Sequence, residues 1–530
     1  MLLPEATLRE VLAAGPAAWT QASAGASAGA GTPLTLDALS AALYHAAGLT
    51  RAVTLQHEEF SYRACPSAGA LYPCELYVFW PGADLLAAGL YHFDPSRHEL
   101  VQLRLGRADA GALGLPAASG FPGEALVFGS AIFFRSAWKY QARAYRYLNL
   151  DCGHVTEGLC LGLAAHGVTH RVELDFDDAA VNAYLGVDAA REGCLAVIRV
   201  AAGAEEAAHP LDASVMPGQP ALSGQPGQPC QPGRLDQPER PGEAEQGGEP
   251  GQPGWMERAG QGASPPSGPL PEGVAALSRM AAADALPEAL ARMHQAACVG
   301  ERYSGGLPSA RLSRLAGQRG WIEPPQGPGP VERLGLCAAM AARRSRRNFV
   351  VSPLPRGCLA KVLADLCAPL SPGAPGAAAS PFSGPDVNPV ERACRVGFLA
   401  GEEVHLAQGF YLLDRETGAI AFCRPGNLRP AMAGVCLDQA WMRNAALQVC
   451  FFADLPELER NLGPRGYRVA LQAAGRLGHR LYLAAESLGL GACGVGAFYD
   501  AEAAEVLALP QGVALLYVLA LGACKGGEGF

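Results

Sequence analysis

No run of about 18 uncharged apolar residues occurs in this sequence, so a membrane-spanning helix is not expected. The opening MLLPEATLRE carries Pro, Glu and Arg where a secretory signal would place a basic stretch and then an apolar core. The 16 cysteines contain no C-x-x-C pair and no Cys/His cluster at metal-ligand spacing. That excludes a zinc ribbon or a disulfide framework, and they read as reduced, buried small hydrophobes of a cytoplasmic protein with no metal site. Cationic excess is also missing: 41 Lys and Arg stand against 50 Asp and Glu, a net charge of -9. Nothing here is a footprint for nucleic acid. What remains is a globular composition, 49% hydrophobic over 530 residues, enough for two or three cores.

The most informative stretch is Ser61 to Pro73, SYRACPSAGALYP. Pro66, Ser67, Ala68 and Gly69 make a small-residue bend that runs into the strand-like ELYVFW. Such a bend is either an ordinary turn before a strand or a place where bare backbone approaches a flat or phosphorylated ligand. The rest of the chain bears on the choice.

TPLTLDALSAALYHAAG, from Thr32, predicts a capped amphipathic helix with Leu36, Leu39 and Leu43 on one side. GLYHFDPSRHELVQL predicts a strand, turn and strand, and ALVFGSAIFF a further strand. A single long helix is expected from Trp138 to near Gly167, followed by an acidic turn, a short helix and the strand CLAVIRV. Residues 203–330 change character: GQPALSGQPGQPCQPG and its continuation predict a Pro/Gly/Gln-rich, mostly disordered linker, with one or two helices in VAALSRMAAADALPEALARMHQAA.

The second half then repeats the first. SPLPRGCLAKVL at Ser352 copies TPLTLDALSAAL at Thr32, and GFYLLDRETGAI at Gly409 copies GLYHFDPSRHEL at Gly89, both shifted by 320 residues. Tyr467 onward copies Tyr145 onward with a shift of 322, unbroken to Val187 and Leu509. Two α+β domains, 32–202 and 331–526, are therefore expected to pair as an intrachain pseudo-dimer.

The copies differ in complementary ways. The second carries RRSRRNF, Arg343 to Phe349, where the first has the uncharged SAGASAG, Ser23 to Gly29. Guanidinium forks beside a serine suit a phosphate, although a basic run before a helix is equally a solvated face. The second also carries GLGACGVGAF, Gly489 to Phe498, expected to be a loop of exposed amides, where the first has GVTHRVELDF. It lacks the flanking strand and acidic residue of a dinucleotide fingerprint. Lys525 adds a cation near the end. The first copy alone keeps the bend, whose counterpart is DVNPVERA, and the pair Lys139 and Tyr140, whose counterparts are Asn461 and Leu462.

R-R-S-x-R-x-F, P-S-A-G-A-L-Y-P and G-L-G-x-C-x-x-G-x-F together resemble the nitroreductase superfamily, in particular its azoline dehydrogenase branch in tandem-domain form. The resemblance covers most of both halves. It implies two mixed-sheet domains flanked by helices, intertwined as a dimer with FMN at the interface. It implies that Arg343, Arg344, Ser345, Arg347 and Lys525 hold the FMN phosphate, and that Ala492, Cys493, Gly494 and Gly496 lie along the ring. Pro66, Ser67, Ala68 and Gly69 would complete that site from the other domain. The mirror site lacks both cations and bend, so one FMN per chain is expected.

Lys139 and Tyr140 match a Lys-Tyr pair of the azoline branch, with Lys139 as base and Tyr140 orienting substrate or relaying the proton; without the resemblance, Lys139 reads as a surface lysine. The implied reaction is oxidation of an azoline-type heterocycle in a peptide by hydride transfer to the flavin, with dioxygen as final acceptor. NAD(P)H-dependent reduction of a nitro compound or quinone is the alternative enzyme. A non-catalytic flavoprotein working with biosynthetic partner proteins is the alternative from another class.

Overall fold

In the computed structural model, the described residues are 32–55, 58–82, 86–115, 124–202, 284–298, 315, 317–328, 330, 332–370 and 392–526. The stretches 23–29 and 386–391 and most of the 203–330 segment lie outside them. Helix α1 (Leu36–Ala47) forms as expected: the Thr35 hydroxyl caps it, accepting from the Ala38 amide at 3.2 Å, and Leu39 and Leu43 are fully buried. Strands β1 (Leu49–Leu55) and β2 (Glu58–Arg63) form a separate ribbon that delivers the chain to the bend.

The first sheet holds β3 (Cys74–Trp80), β4 (Gly89–Asp94), β5 (Glu99–Leu105), β6 (Glu124–Ile132), β7 (His170–Glu173) and β8 (Glu192–Ala201), in the order β5-β4-β3-β6-β8-β7. Between β6 and β7 run α2 (Phe134–Tyr140) and α3 (Ala144–Ala165), and α4 (Asp178–Leu185) precedes β8. The long helix expected from Trp138 is thus two helices. Gln141 stands in the left-handed region at φ 50, which ends α2 and restarts the chain as α3.

Helix α5 (Glu288–Ala297) and strand β9 (Trp321–Ile322) come from the segment read as linker. His294 of α5 packs on the Phe133 ring at 4.6 Å, and the Ala297 carbonyl accepts from Arg465 at 3.2 Å. β9 pairs with the edge of the second sheet, so that sheet reaches back before residue 331.

The second half contains α6 (Leu336–Ala342), α7 (Cys358–Cys367), β10 (Arg395–Ala400), β11 (Gly409–Leu413), β12 (Ile420–Pro425), α8 (Arg429–Val435), β13 (Leu447–Asp454), α9 (Leu455–Leu462), α10 (Gly466–Ser487), β14 (Gly491–Val495), α11 (Asp500–Leu507) and β15 (Val513–Gly522). Its sheet order, β9-β12-β11-β10-β13-β15-β14, repeats that of the first half with β9 added. Neighbouring strands in both sheets pair antiparallel, and two isolated bridges outside those pairings, Thr32 to Val168 and Ser345 to Ala492, are parallel. β3, β6 and β8 are buried almost throughout because each sheet is covered on both faces.

One core cluster runs through both halves and includes Leu39, Leu159, Leu363 and Leu477. At its centre α3 and α10 cross where Gly153 meets Gly475, positions related by the 322-residue shift. A Cβ on Gly153 would press into the Gln472 carbonyl and stand 3.0 Å from the Gly475 Cα; one on Gly475 would press into the Leu150 carbonyl. Only hydrogen side chains allow backbones this close.

The shift recurs in the polar contacts flanking the crossing. Arg143 and Arg146 bind Asp500 at 2.7 and 2.9 Å, and their counterparts Arg465 and Arg468 bind Asp178, the latter at 2.7 Å. The same guanidiniums lie over Phe498 and Phe176. Each acid sits in the first turn of its helix, where the macrodipole favours a negative charge. The described residues of both halves belong to one compact unit, Met1–Ala204 with Pro266–Phe530.

The two clamps differ in burial: Asp178 has 3% of its side chain exposed, Asp500 45%. Asp178→Ala would strand two buried guanidiniums and is expected to cost about 3 kcal/mol or more. Asp500→Ala should cost no more than about 1 kcal/mol. Denaturant unfolding of both variants measures the difference, and equal losses would contradict it.

Candidate functional site

The bend is held from beneath by an acid on α3. Ser67 Oγ donates to Asp151 Oδ2 at 2.6 Å, the Ala68 amide donates to Oδ1 at 3.2 Å, and the Tyr72 amide donates to Ser67 Oγ at 2.9 Å. The chain is forced into left-handed backbone at Gly69, Ala70 and Tyr72, with φ of 65, 54 and 46. For the last two this is strain, which the fixed hydrogen bonds sustain. Asp151 is fully buried with no cation bonded to it among the described residues, and desolvation pushes its carboxyl up from 3.8 to about 7.

Helix α2 ends over the same bend. A Cβ on Gly69 would strike Tyr140 Oη and stand 3.0 Å from Lys139 Nζ, so glycine is needed for both groups to come this close. Lys139 Nζ lies 5.3 Å from the Tyr140 ring centroid, and the Tyr140 ring packs edge-on to Tyr147 at 4.6 Å. Lys139 is exposed and Tyr140 half-buried. Burial raises the Tyr140 hydroxyl pKa, Asp151 raises it further, and Arg347 opposes them.

Arg347 belongs to the other half, which brings its basic run to this place. Arg343 is buried; its Nε donates to the Ala64 carbonyl, two residues before the bend, at 2.6 Å. Its guanidinium lies 5.3 Å from the Tyr482 ring centroid, and its Nη1 is buried with no hydrogen-bond partner. Arg344 donates to the Thr50 carbonyl at 3.0 Å. Ser345 Oγ sits 3.0 Å from Tyr482 Oη, and Arg347 faces the Trp441 ring at 5.9 Å. The Cys493 thiol is the main influence raising the Arg347 pKa. The Lys525 amide donates to the Asn348 carbonyl at 3.0 Å and its carbonyl accepts from Asn348 Nδ2 at 2.7 Å, so Lys525 stands beside the run with its side chain exposed.

The stretch expected to be a glycine loop is instead mostly strand β14, with Ala492, Cys493 and Gly494 paired to β15. Glycine disfavours strands, but here tyrosines fill the space side chains would take. A Cβ on Gly494 would occupy the position of Tyr517 Oη, and the Gly494 amide donates to Tyr482 Oη at 2.7 Å. That amide is therefore engaged by protein. Gly496 packs on Tyr147 of the first half, and its carbonyl accepts from Arg143 at 3.4 Å.

The bend, Lys139 and Tyr140, the Arg343 to Arg347 run and β14 thus meet across the interface between the halves, with Lys525 at the margin. Sequence reasoning missed Asp151, Tyr147, Trp441, Tyr482 and Tyr517. The 322-residue shift contained a signal for Asp151: its counterpart is Ala473, so the acid survives only in the copy that keeps the bend.

A model of the nitroreductase family matches residues 3–203 and 402–523. The chain belongs to the nitroreductase family. A Methanocaldococcus jannaschii protein named as a nitroreductase is 30% identical over 140 residues, 26% of this chain and 67% of that protein. A nitroreductase-like crystal structure from Anabaena variabilis is 26% identical, covers 93% of this chain and 90% of its own, and superposes with a TM-score of 0.66. Both halves thus match one relative. The E. coli microcin synthetase McbBCD complex aligns over 32% of this chain and 64% of its own at 21% identity, with a TM-score of 0.27, too slight a likeness to bear on chemistry.

Because the folded Asp151 carboxyl is raised, its contribution is full below about pH 4 and is lost as pH climbs through about 7. The wild type should lose up to about 4 kcal/mol over that window relative to Asp151→Asn. Parallel unfolding curves for the two proteins across pH would contradict this.

Proposed function

We propose that this nitroreductase-family chain is an FMN-dependent oxidoreductase with one composite site, oxidising azoline-type heterocycles in peptides. The observation that carries the reading is the convergence of Lys139 Nζ and Tyr140 Oη on Gly69, across from a basic run contributed by the other half. FMN fits these residues. The buried, unpartnered Nη1 of Arg343 is a donor that an anionic or carbonyl oxygen would satisfy, and Ser345 and Arg347 are exposed beside it. Arg343, Arg344, Ser345, Arg347 and Lys525 would hold the phosphate end. Pro66 to Gly69 and Ala492 to Gly496 would flank the ring.

Bound FMN supplies a two-electron acceptor for hydride, which dioxygen reoxidises. Converting an azoline to an azole removes one hydride and one proton from ring carbons, so the protein must accept the proton. Lys139 is the group that would accept it, with substrate closing over it to exclude water. Tyr140, whose raised pKa keeps it protonated, donates a hydrogen bond that orients the heterocycle. A biosynthetic partner protein would present the peptide.

A second reading rests on the exposure of Lys139. A solvated ammonium serves no base chemistry, and an NAD(P)H-dependent reductase of nitro compounds or quinones needs none. Lys139→Ala separates the two. The dehydrogenase reading expects loss of azoline oxidation by about 100-fold or more with FMN retained. NAD(P)H consumption that survives the substitution unchanged, with no azoline oxidised by the wild type, would favour the reductase.

A further inference from the structure

The bend has an inward surface that the proposed chemistry does not use. Ser67 Oγ donates to Asp151 at 2.6 Å and accepts from the Tyr72 amide at 2.9 Å. A charged carboxylate can only accept, so the single hydroxyl hydrogen of Ser67 is committed inward. A protonated Asp151 is itself a donor. Ser67 Oγ then accepts from both Asp151 and Tyr72, and its hydrogen is released toward the outer side of the bend. The Ala68 amide donates to both carboxyl oxygens, at 3.2 Å to Oδ1 and 3.3 Å to Oδ2.

We propose that Asp151 is a positioning residue acting through Ser67, which makes the bend an outward hydrogen-bond donor when Asp151 carries a proton and withholds that donor when it is charged. Asp151 sits on rigid α3 with its carboxyl sealed under the bend, where no bulk water compensates its charge. The groups that face it are Cys65, Tyr72 and Cys74 around the bend and at the start of β3, Cys152 on α3, Tyr140 on α2 and Tyr517 on β15. Arg63 donates to the Cys74 carbonyl and Arg343 to the Ala64 carbonyl. Burial brings the carboxyl to about 7, so both forms are populated near neutrality. The second copy has Ala473 in place of the acid and DVNPVERA in place of the bend, so switch and target are lost together.

The class of ligand served by the outward hydroxyl, a flavin, rests on the function proposed above; the switch itself does not. The test follows FMN affinity by fluorescence quenching from about pH 5.5 to about pH 8.5 in the wild type, Asp151→Asn and Ser67→Ala. The asparagine amide donates to Ser67 Oγ as the protonated acid does. Relative to Asp151→Asn, wild-type affinity is expected to fall roughly tenfold across this range, the size of one charge-assisted hydrogen bond. Ser67→Ala should run parallel to Asp151→Asn. FMN's own phosphate titration is common to all three and drops out of the ratios. A wild-type slope retained in either variant overturns the proposal.

Infrared difference spectra of the flavin-free protein provide a readout independent of FMN. A carboxylic C=O band titrating near neutrality should be present in the wild type, shifted in Ser67→Ala and absent from Asp151→Asn. Failure of the wild type to bind FMN, with this band intact, would remove the flavin reading and leave the switch. Absence of the band would overturn the switch.

Discussion

Everything in this molecule is referred to the point where Gly153 of α3 meets Gly475 of α10. Two helices of 22 residues each, buried nearly throughout, cross at a separation that no side chain permits. The crossing point lies on the local pseudo-twofold, so it fixes the spacing and phase of the two halves together. Residues far apart in the chain, such as Ala64 and Arg343 or Tyr147 and Gly496, then meet by construction. A composite site is a consequence of that geometry, because a displacement at the crossing would separate the bend from the basic run.

The scaffold is symmetric and the side chains at the two equivalent places are not. Both clamps persist, with two arginines, one first-turn aspartate and one phenylalanine ring in each. The clamp made by Arg143 and Arg146 is solvated and also reaches the Gly496 and Phe498 carbonyls, tying it to the strand beside the site. The Arg465 and Arg468 clamp is sealed, with α5 against it through the Ala297 carbonyl. On one side of the axis polar groups are left open. On the other they are consumed by packing.

Much of this was legible in the chain. The 320 and 322-residue shifts exposed the duplication because a few residues, such as Arg146 and Gly153 of α3, persist as Arg468 and Gly475 of α10. The bend and the Lys-Tyr pair were legible because small residues and a cation stood out against alternating apolar sequence. Other features were hidden for identifiable reasons. Asp151 is one of two acids on α3, with nothing local to set it apart from Glu157, and its partner Ser67 lies 84 positions away. Strand β14 was hidden by its glycines, since what sustains it is the bulk of Tyr482 and Tyr517, supplied by other elements. The break at Gln141 follows from a left-handed residue with no glycine or proline to announce it. Helix α5 was visible as a helix, but nothing in its composition said that it packs against both halves.

The central claim is that the two halves build one flavin site between them and that its mirror image is not a second one. The most direct measurement is a titration of the purified protein with FMN, counting bound flavin per chain from the visible absorption spectrum and identifying the flavin after release. The account predicts saturation at about one FMN per chain, a single site per pseudo-dimer. Saturation near two would show a competent mirror site, and a protein that takes up no FMN would leave the shared scaffold without the cofactor on which the functional reading depends.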